Sequence, residues 1–317
     1  MNNMNRLFEL IEKQNTIAIV GHIRPDGDCI GSSLGLYNYI LDNYPNKRVD
    51  VYLEPISEKF KFLNGAKEII NEPSHEVYDI SISVDCSDTE RHGEFGIIFK
   101  NAKNTVCIDH HRSNLGFGDL YYCDPDASSA CEVVSRFLDM DKISKSCAEA
   151  IYMGIIHDTG VLKYSATSEE TMYIVGKLIS KGIDTQFIID ETFYRVRYSQ
   201  NRLTGKALMK SKQYLDGKVI ASNITLEDFE EFNASKEDTD GIIDKLRVTE
   251  GVEVAILAYQ IDDKTYKFSM RSISYVDVSV ISVHFGGGGH IRASGFYIIG
   301  DYEESLGKIL DMVSKQI

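Results

Sequence analysis

Hydrophobic positions in the first half of the chain form short β-branched runs separated by segments with helical spacing. This alternation is typical of a parallel sheet covered by helices. The candidate strands cover residues 16–20, 48–53, 79–84 and 105–108, and the candidate helices cover 30–44, 58–70, 127–140, 145–156 and 168–181. The pattern predicts an α/β domain with a doubly wound, mostly parallel sheet.

The pattern changes near Gln186 to a long polar, arginine-bearing helical stretch. Beyond it, residues 218–223, 254–261, 266–272 and 295–299 have strand character, and residues 302–315 form a final helix pattern. We therefore predict a first domain over 1–185, a helical connector over 186–212 and a smaller α/β domain over 213–317. An active site in a cleft between the two domains is expected.

Composition narrows the classes of protein that the chain can belong to. Its 317 residues, 43% of them hydrophobic, are enough for two cores, and the net charge of −14 disfavours binding of long duplex nucleic acid. No run reaches the roughly 18 apolar residues of a membrane helix, and the amphipathic start differs from a signal peptide. Six cysteines without a CxxC pair indicate reduced thiols, so a cytoplasmic protein without membrane partners is expected.

Candidate metal ligands stand where apolar segments end. In an open parallel sheet the carboxyl ends of the strands converge on a ligand, so these side chains can meet there. The four segments carry His22, Asp26 and Asp28; Asp85; Asp109, His110 and His111; and Asp158. Carboxylates mixed with imidazoles favour Mn²⁺ or Mg²⁺ over structural zinc, and so many ligands indicate a pair of ions.

Each segment also has an ordinary structural interpretation. Asp85 could cap a loop or a helix, and adjacent histidines are usually one buried and one exposed. The sequence around Asp158 could end a helix, and Asp26 with Asp28 could form a solvated turn. All four segments follow core-like apolar runs within one predicted domain, and their joint occurrence favours the metal site.

A glycine run, Gly286–Gly289, is the notable feature of the second half. Glycine allows consecutive backbone N–H groups to approach an anion, and arginine matches phosphate with two parallel hydrogen bonds. His290 and Arg292 flank the run, and Arg271 ends a nearby strand pattern. The alternative is a flexible turn with two surface cations. Arg195 and Arg197 are weaker candidates, because arginines on a polar helix are usually solvated.

Taken in order, the motifs resemble those of the DHH phosphoesterase family. They read GHIRPDGD, SVDCSD, DHH and HDTG, and GGGGHIRASG resembles the glycine-rich signature of the DHH-associated C-terminal domain. The resemblance covers nearly the whole chain. Its length and layout are most similar to the bifunctional oligoribonuclease and pAp phosphatase group, the nanoRNases.

The resemblance implies a ligand set and a set of roles. His22, Asp26 and Asp85 would hold one ion, and Asp28, Asp85, His110 and Asp158 the other, as two Mn²⁺ or alternatively Mg²⁺ or Co²⁺. Asp109 would orient a histidine and His111 would face the scissile phosphate, so the implied catalytic residues are Asp85, Asp109, His110 and His111. Substrate binding is implied for His111, Arg271, Gly287, Gly288, Gly289, His290 and Arg292.

The implied activity is degradation of short RNA or DNA oligonucleotides to mononucleotides and dephosphorylation of pAp to AMP. The nearest alternative is a phosphodiesterase for linear pApA or cyclic di-AMP. From a different class, a catalytically silent nucleotide-binding regulator would keep the fold without the hydrolysis. A homodimer is compatible with the resemblance, and the sequence leaves open the preferred substrate and the polarity of attack.

Overall fold

A computed structural model describes residues 3–317 of the chain, with side chains from Arg6 onward. It divides into two compact units, of which the first ends at Arg195 and the second covers Val196–Ile317. The predicted connector range contains helical segments on both sides of this division. Among the described residues, none of the helices is both long and apolar enough to cross a membrane.

The first unit contains a five-stranded sheet in which every pair of neighbours is parallel. The strands are β1 (Thr16–Val20), β2 (Arg48–Tyr52), β3 (Ile80–Val84), β4 (Thr105–Asp109) and β5 (Leu120–Cys123), in the spatial order β2-β1-β3-β4-β5. This confirms the predicted doubly wound parallel sheet. Chain order reverses between β1 and β3, and ligand crevices form at such reversals, beyond the carboxyl ends of the strands.

Seven helices accompany this sheet in the described part of the first unit. They are α1 (Asn3–Lys13), α2 (Gly27–Asn43), α3 (Gly96–Asn101), α4 (Ala130–Ser135), α5 (Lys145–Asp158), α6 (Glu169–Ile179) and α7 (Thr185–Ile189). All five residues of β3 are buried, as expected for a central strand covered on both faces. The apolar runs of the sequence therefore correspond to the core.

Several elements of the first unit differ from prediction, including the short helix α3, which was not predicted. The expected helix over 58–70 is only a single 3₁₀ turn, Glu58–Phe60, followed by further turns. Its helical spacing reflects burial of Phe60 and Leu63, and Gly65 takes a left-handed backbone with φ of 88°. The edge strand β5 was not predicted, because its four residues are only partly buried and give no clear alternation.

The second unit contains a six-stranded mixed sheet in the order β10-β11-β9-β8-β7-β6. Its strands are β6 (Lys212–Tyr214), β7 (Val219–Ile224), β8 (Val254–Gln260), β9 (Thr265–Ser272), β10 (Gly288–His290) and β11 (Ala293–Ile299). The helices are α8 (Tyr198–Lys210), α9 (Leu226–Glu231), α10 (Ile242–Arg247), α11 (Val278–His284) and α12 (Tyr302–Val313). Successive residues of β8 enter two different hydrophobic clusters, so the sheet has a core on each face. The predicted smaller α/β domain is confirmed.

Helices α2 and α5 approach each other closely enough to require glycine. A methyl group at Gly31 would lie 2.6 Å from the Ala150 carbonyl oxygen and 2.8 Å from Gly154 Cα. Because both neighbours are backbone atoms, they cannot rotate away. We expect Gly31→Ala to lower the free energy of unfolding by about 1–3 kcal/mol, measured by urea denaturation.

A matched control is available in α6. A methyl group at Gly176 would meet nothing within 4 Å. Gly176→Ala is therefore expected to raise the free energy of unfolding by up to about 1 kcal/mol through helix propensity. Equal effects of the two substitutions would show that the approach of α2 to α5 does not require glycine.

Candidate metal centre

The predicted ligands of the first unit meet at the carboxyl edge of its sheet. His22 follows β1, Asp85 follows β3, and His110 follows β4. Asp85 has a left-handed backbone with φ of 56°, which is uncommon outside glycine, and its N–H donates to the Ile108 carbonyl at 3.0 Å. This strained turn fixes the backbone position from which the Asp85 side chain extends.

The Asp85 carboxylate lies between two groups of imidazoles. Its Oδ2 is 3.4 Å from His22 Nε2, whereas its Oδ1 is 3.6 Å from His110 Nε2 and 3.7 Å from His111 Nδ1. Asp85 is only 2% exposed, and its Oδ1 is buried without a hydrogen-bond partner among the described residues. Leaving a buried carboxylate oxygen unpaired is costly, so this oxygen is suited to bind a cation.

Asp28 is fixed from a part of the chain about one hundred residues away. The N–H groups of Ala130 and Cys131, in the first turn of α4, donate to its two carboxylate oxygens at 2.6 and 2.9 Å. Its Oδ2 lies 3.7 Å from His110 Nε2, and Asp158 Oδ2 lies 3.2 Å from the same nitrogen. Asp28, His110 and Asp158 therefore form a second group of ligand atoms.

Asp26 serves the fold and the site with different oxygens. Its Oδ1 accepts hydrogen bonds from the N–H groups of Asp28 and Cys29 and so caps α2. Its Oδ2 lies 3.7 Å from His22 Nε2. Asp26 is therefore a helix cap, where the sequence had offered only a solvated turn as the alternative to a metal ligand, and its second oxygen lies near His22.

Asp109 contacts His111 and does not belong to the group of carboxylates around His110. His111 Nδ1 is 2.8 Å from Asp109 Oδ1, and Asn114 Nδ2 donates to Asp109 Oδ2 at 2.7 Å. These contacts lower the pKa of the buried Asp109 carboxyl despite its desolvation. Asp109 in turn raises the pKa of His111 and orients its ring.

Crowding of like charge dominates the electrostatics of the site. Burial, together with neighbouring carboxylates, raises the pKa of Asp28 to about 6 and that of Asp158 to about 7. The pKa of Asp85 is raised by burial and by the charge of Asp28. Burial opposes the charged form of His22, but its contacts with Asp26 and Asp85 raise its pKa overall.

The donor atoms fit divalent cations. Two ligand atoms that are each about 2.1 Å from one ion, at about a right angle, lie about 3 Å apart, which is close to the separations here. Ligand atoms of Asp85, His110 and His111, and those of Asp28, His110 and Asp158, each lie within 4.8 Å of one another. His110 belongs to both groups, and Asp85, in the first group, lies 3.6 Å from it.

Sequence reasoning missed three contributors to this site. Cys29 Sγ lies within 4.8 Å of ligand atoms of His22 and Asp85, although its position after Asp28 gave no such signal. Asn114 holds Asp109, and it stands in a loop without a recognisable motif. The α4 N–H groups that hold Asp28 come from backbone, which carries no sequence signature.

The glycine run of the second unit covers the turn after helix α11 and the start of the edge strand β10. The N–H groups of Gly286 and Gly287 donate to carbonyls of α11, at 3.0 and 2.9 Å, and Gly288 and Gly289 belong to β10. A methyl group at Gly287 would lie 2.3 Å from the Gly295 carbonyl oxygen. Two of the four N–H groups expected to face an anion are therefore used within the fold.

Three cationic candidates lie near this run. His290 pairs in register with Ala293, and Ala293 pairs with Arg271, so His290 and Arg271 lie in one row of the sheet. The Arg292 guanidinium donates to the Val276 carbonyl at 2.8 Å and to the Ser274 carbonyl. Arg292 is thus fixed by backbone oxygens although it is not buried, and His290 is exposed.

Known proteins similar to this chain share both of its units. The DHH family, N-terminal domain, matches residues 16–155, and the DHHA1 domain matches residues 216–317. The chain is 25% identical over 309 residues to the bifunctional oligoribonuclease and PAP phosphatase NrnA of Thermus thermophilus, covering 96% of this chain and 91% of that protein.

Two further matches differ in what they cover. The cyclic-di-AMP phosphodiesterase PdeA of Listeria monocytogenes is 29% identical over 304 residues, which are 90% of this chain but 45% of PdeA. A crystal structure of an exopolyphosphatase-related protein from Bacteroides fragilis superimposes with a TM-score of 0.84 at 29% identity, covering 98% of this chain and 95% of that one.

Removing the central carboxylate tests the metal centre directly. Asp85→Asn keeps the side-chain shape but removes the charge placed between His22 and His110. We expect the affinity for Mn²⁺, measured by isothermal titration calorimetry, to fall at least about 100-fold. Removing a residue that only hydrogen-bonds to a metal ligand already lowers metal affinity by about 10–100-fold.

Asp126→Asn is the matched control, because Asp126 is 85% exposed and pairs with Arg112 at the surface. Its affinity for Mn²⁺ should equal that of the unmodified protein. Undiminished binding by the Asp85→Asn variant would remove Asp85 from the ligand set.

Proposed function

This chain belongs to the DHH phosphoesterase family, and from that membership we propose that it degrades short oligoribonucleotides to mononucleotides and dephosphorylates pAp to AMP. The observation that carries the proposal is the buried, unpartnered Asp85 oxygen facing two imidazoles. The name of the Thermus relative supports both activities, because the match spans nearly the full length of each chain.

The ligand set proposed for the first unit divides around Asp85. His22, Asp26 and Asp85 would hold one divalent ion, and Asp28, Asp85, His110 and Asp158 the other. Bound ions would lower the pKa of an attacking water and neutralise charge on the phosphoryl oxygens. Mixed carboxylate and imidazole ligands favour Mn²⁺, with Mg²⁺ or Co²⁺ as alternatives.

His111 is the proposed contact to the scissile phosphate. Its Nδ1 is occupied by Asp109, so Nε2 is the nitrogen left for substrate, and the side chain is 41% exposed. A raised pKa favours the protonated ring, which can donate a charge-assisted hydrogen bond to a phosphoryl oxygen. Asp109 and Asn114 position this ring and do not themselves touch substrate.

The proposed substrate contacts of the second unit are cationic. Arg271, His290 and Arg292 would bind phosphate near the glycine run, and Gly287, Gly288 and Gly289 would shape the backbone there. The net charge of −14 limits nucleic-acid partners to short fragments, because long strands require an extended basic surface.

The proposed activity is tested with purified protein and Mn²⁺. We expect mononucleotides from di- to pentanucleotides labelled at either end, and inorganic phosphate from pAp. His111→Ala should lower kcat for both substrates by about 100-fold or more, because it removes a donor to the transition state. Failure of the unmodified protein to hydrolyse either substrate with Mn²⁺, Mg²⁺ or Co²⁺ would refute the proposal.

Asn114→Ala tests the positioning of His111. Without the Asn114 amide, Asp109 loses one of its two fixed partners and the ring loses its orientation. We expect kcat for pAp to fall by about 10-fold while the affinity for Mn²⁺ stays unchanged, consistent with loss of one supporting contact. Equal loss of kcat and of metal affinity would indicate a general structural role instead.

A second candidate activity is hydrolysis of linear pApA or cyclic di-AMP. The match to the Listeria cyclic-di-AMP phosphodiesterase favours it, although this chain spans about half of that protein. Comparing kcat/KM for pApA, cyclic di-AMP and short RNA at equal Mn²⁺ concentration distinguishes the two activities. Preference for cyclic di-AMP would replace the first proposal.

A further inference from the structure

Arg24 lies between two of the proposed metal ligands. His22 and Asp26 are two residues away on either side, and the Arg24 side chain is exposed. Its position in the chain thus puts an exposed cationic residue between two of these ligands.

The backbone of Arg24 is held in an unfavourable conformation. Its φ is 53°, in the left-handed region, and Pro25 restricts the preceding residue still further. The Arg24 N–H donates to Glu54 Oε2 at 2.6 Å, which holds this conformation. Strain of this kind persists where the surroundings fix it and is concentrated at ligand-binding sites.

The Arg24 guanidinium makes no hydrogen bond or ion pair with residues 6–317. Most other arginines in this range have such a partner, as do Arg48, Arg112, Arg136, Arg195, Arg197, Arg202, Arg247, Arg271 and Arg292. Even the neighbouring Asp26 is engaged, since its oxygens cap α2 and face His22. A free guanidinium in a chain of net charge −14 therefore remains available to an anion.

A second cation accompanies Arg24. The Ile23 N–H donates to the Arg91 carbonyl at 2.7 Å, which places the Arg91 backbone next to this segment. Arg91 is exposed and likewise forms no hydrogen bond or ion pair through its side chain within the described chain. Two exposed cationic residues, Arg24 and Arg91, thus belong to the segments around Ile23, next to His22 in the chain.

We propose that Arg24 binds a phosphate group of the substrate other than the one being hydrolysed. Its planar guanidinium can donate two parallel hydrogen bonds to such a group. The substrate class is then a nucleotide that carries a second phosphate, such as pAp or a 5′-phosphorylated dinucleotide. This inference rests on the proposed phosphoesterase activity and adds a determinant of its specificity.

The test compares a substrate with two phosphates and a substrate with one. For Arg24→Ala, we expect kcat/KM for pAp to fall by about 10–100-fold, because a hydrogen bond to a charged group contributes on that scale. For 3′-AMP, which lacks the second phosphate, the fall should stay within about 3-fold by the same reasoning. Arg24→Lys should recover only part of the loss on pAp, because it keeps the charge without the fork.

Arg112→Ala is the matched control. Arg112 is exposed and follows His111, but its guanidinium pairs with Asp126 at 2.8 Å. It should leave the ratio of kcat/KM between pAp and 3′-AMP unchanged. Equal falls in kcat/KM for pAp and for 3′-AMP in Arg24→Ala would overturn the assignment. A lower ratio of the two values in Arg91→Ala, with an unchanged ratio in Arg24→Ala, would overturn it as well.

A binding measurement separates failure of this inference from failure of the proposed activity. With Ca²⁺ in place of Mn²⁺, isothermal titration should give weaker pAp binding by Arg24→Ala than by the unmodified protein, and similar 3′-AMP binding by both. If the unmodified protein binds pAp but hydrolyses nothing, the activity fails while Arg24 is still tested. If both proteins bind pAp equally, the role of Arg24 is refuted.

Discussion

Mutual repulsion of buried carboxylates is the constraint on which the rest of this structure depends. Asp28 and Asp85 are almost completely buried, and Asp158 lies beside them around His110. Their pKa values rise because burial and neighbouring charge both disfavour ionisation. Divalent cations relieve that repulsion, so a site that is unfavourable for the fold alone becomes favourable for the loaded protein.

The fold holds these groups in place with rigid elements. The carboxyl ends of parallel strands bring distant segments together, and the first turn of α4 fixes Asp28 through two backbone N–H groups. Small residues let the helices approach, since a methyl group at Gly27 would overlap the His157 ring and one at Gly154 would lie 2.2 Å from Cys131 Sγ. The packing of the surrounding helices thus fixes the positions of the ligand side chains as much as the contacts among these side chains do.

The architecture of both units could be predicted from the sequence. The segments that meet at the candidate metal centre could be predicted as well. Apolar runs followed by Asp or His indicated strand ends, and the parallel order of the sheet then required those ends to converge. Short elements were less predictable, because the four residues of the edge strand Leu120–Cys123 carry too little periodicity. Residues 58–70 were wrongly predicted as a helix, because the buried residues Phe60 and Leu63 have the spacing of one helix face.

The support around the ligands could not be predicted from the sequence. The Asn114 contact with Asp109 and the backbone groups that hold Asp28 depend on tertiary proximity. In the second unit, the glycine run predicted an anion-binding turn, yet the N–H groups of Gly286 and Gly287 end a helix. A glycine pattern alone does not reveal whether close approach serves a ligand or the protein's own backbone.

We propose that the Asp85 carboxylate would lie between two divalent ions in the metal-bound protein. Anomalous diffraction from crystals grown with Mn²⁺ tests it most directly. We predict two peaks about 3.5–4 Å apart, with the Asp85 oxygens between them. A single peak, or two peaks with Asp85 outside both coordination spheres, would contradict the account.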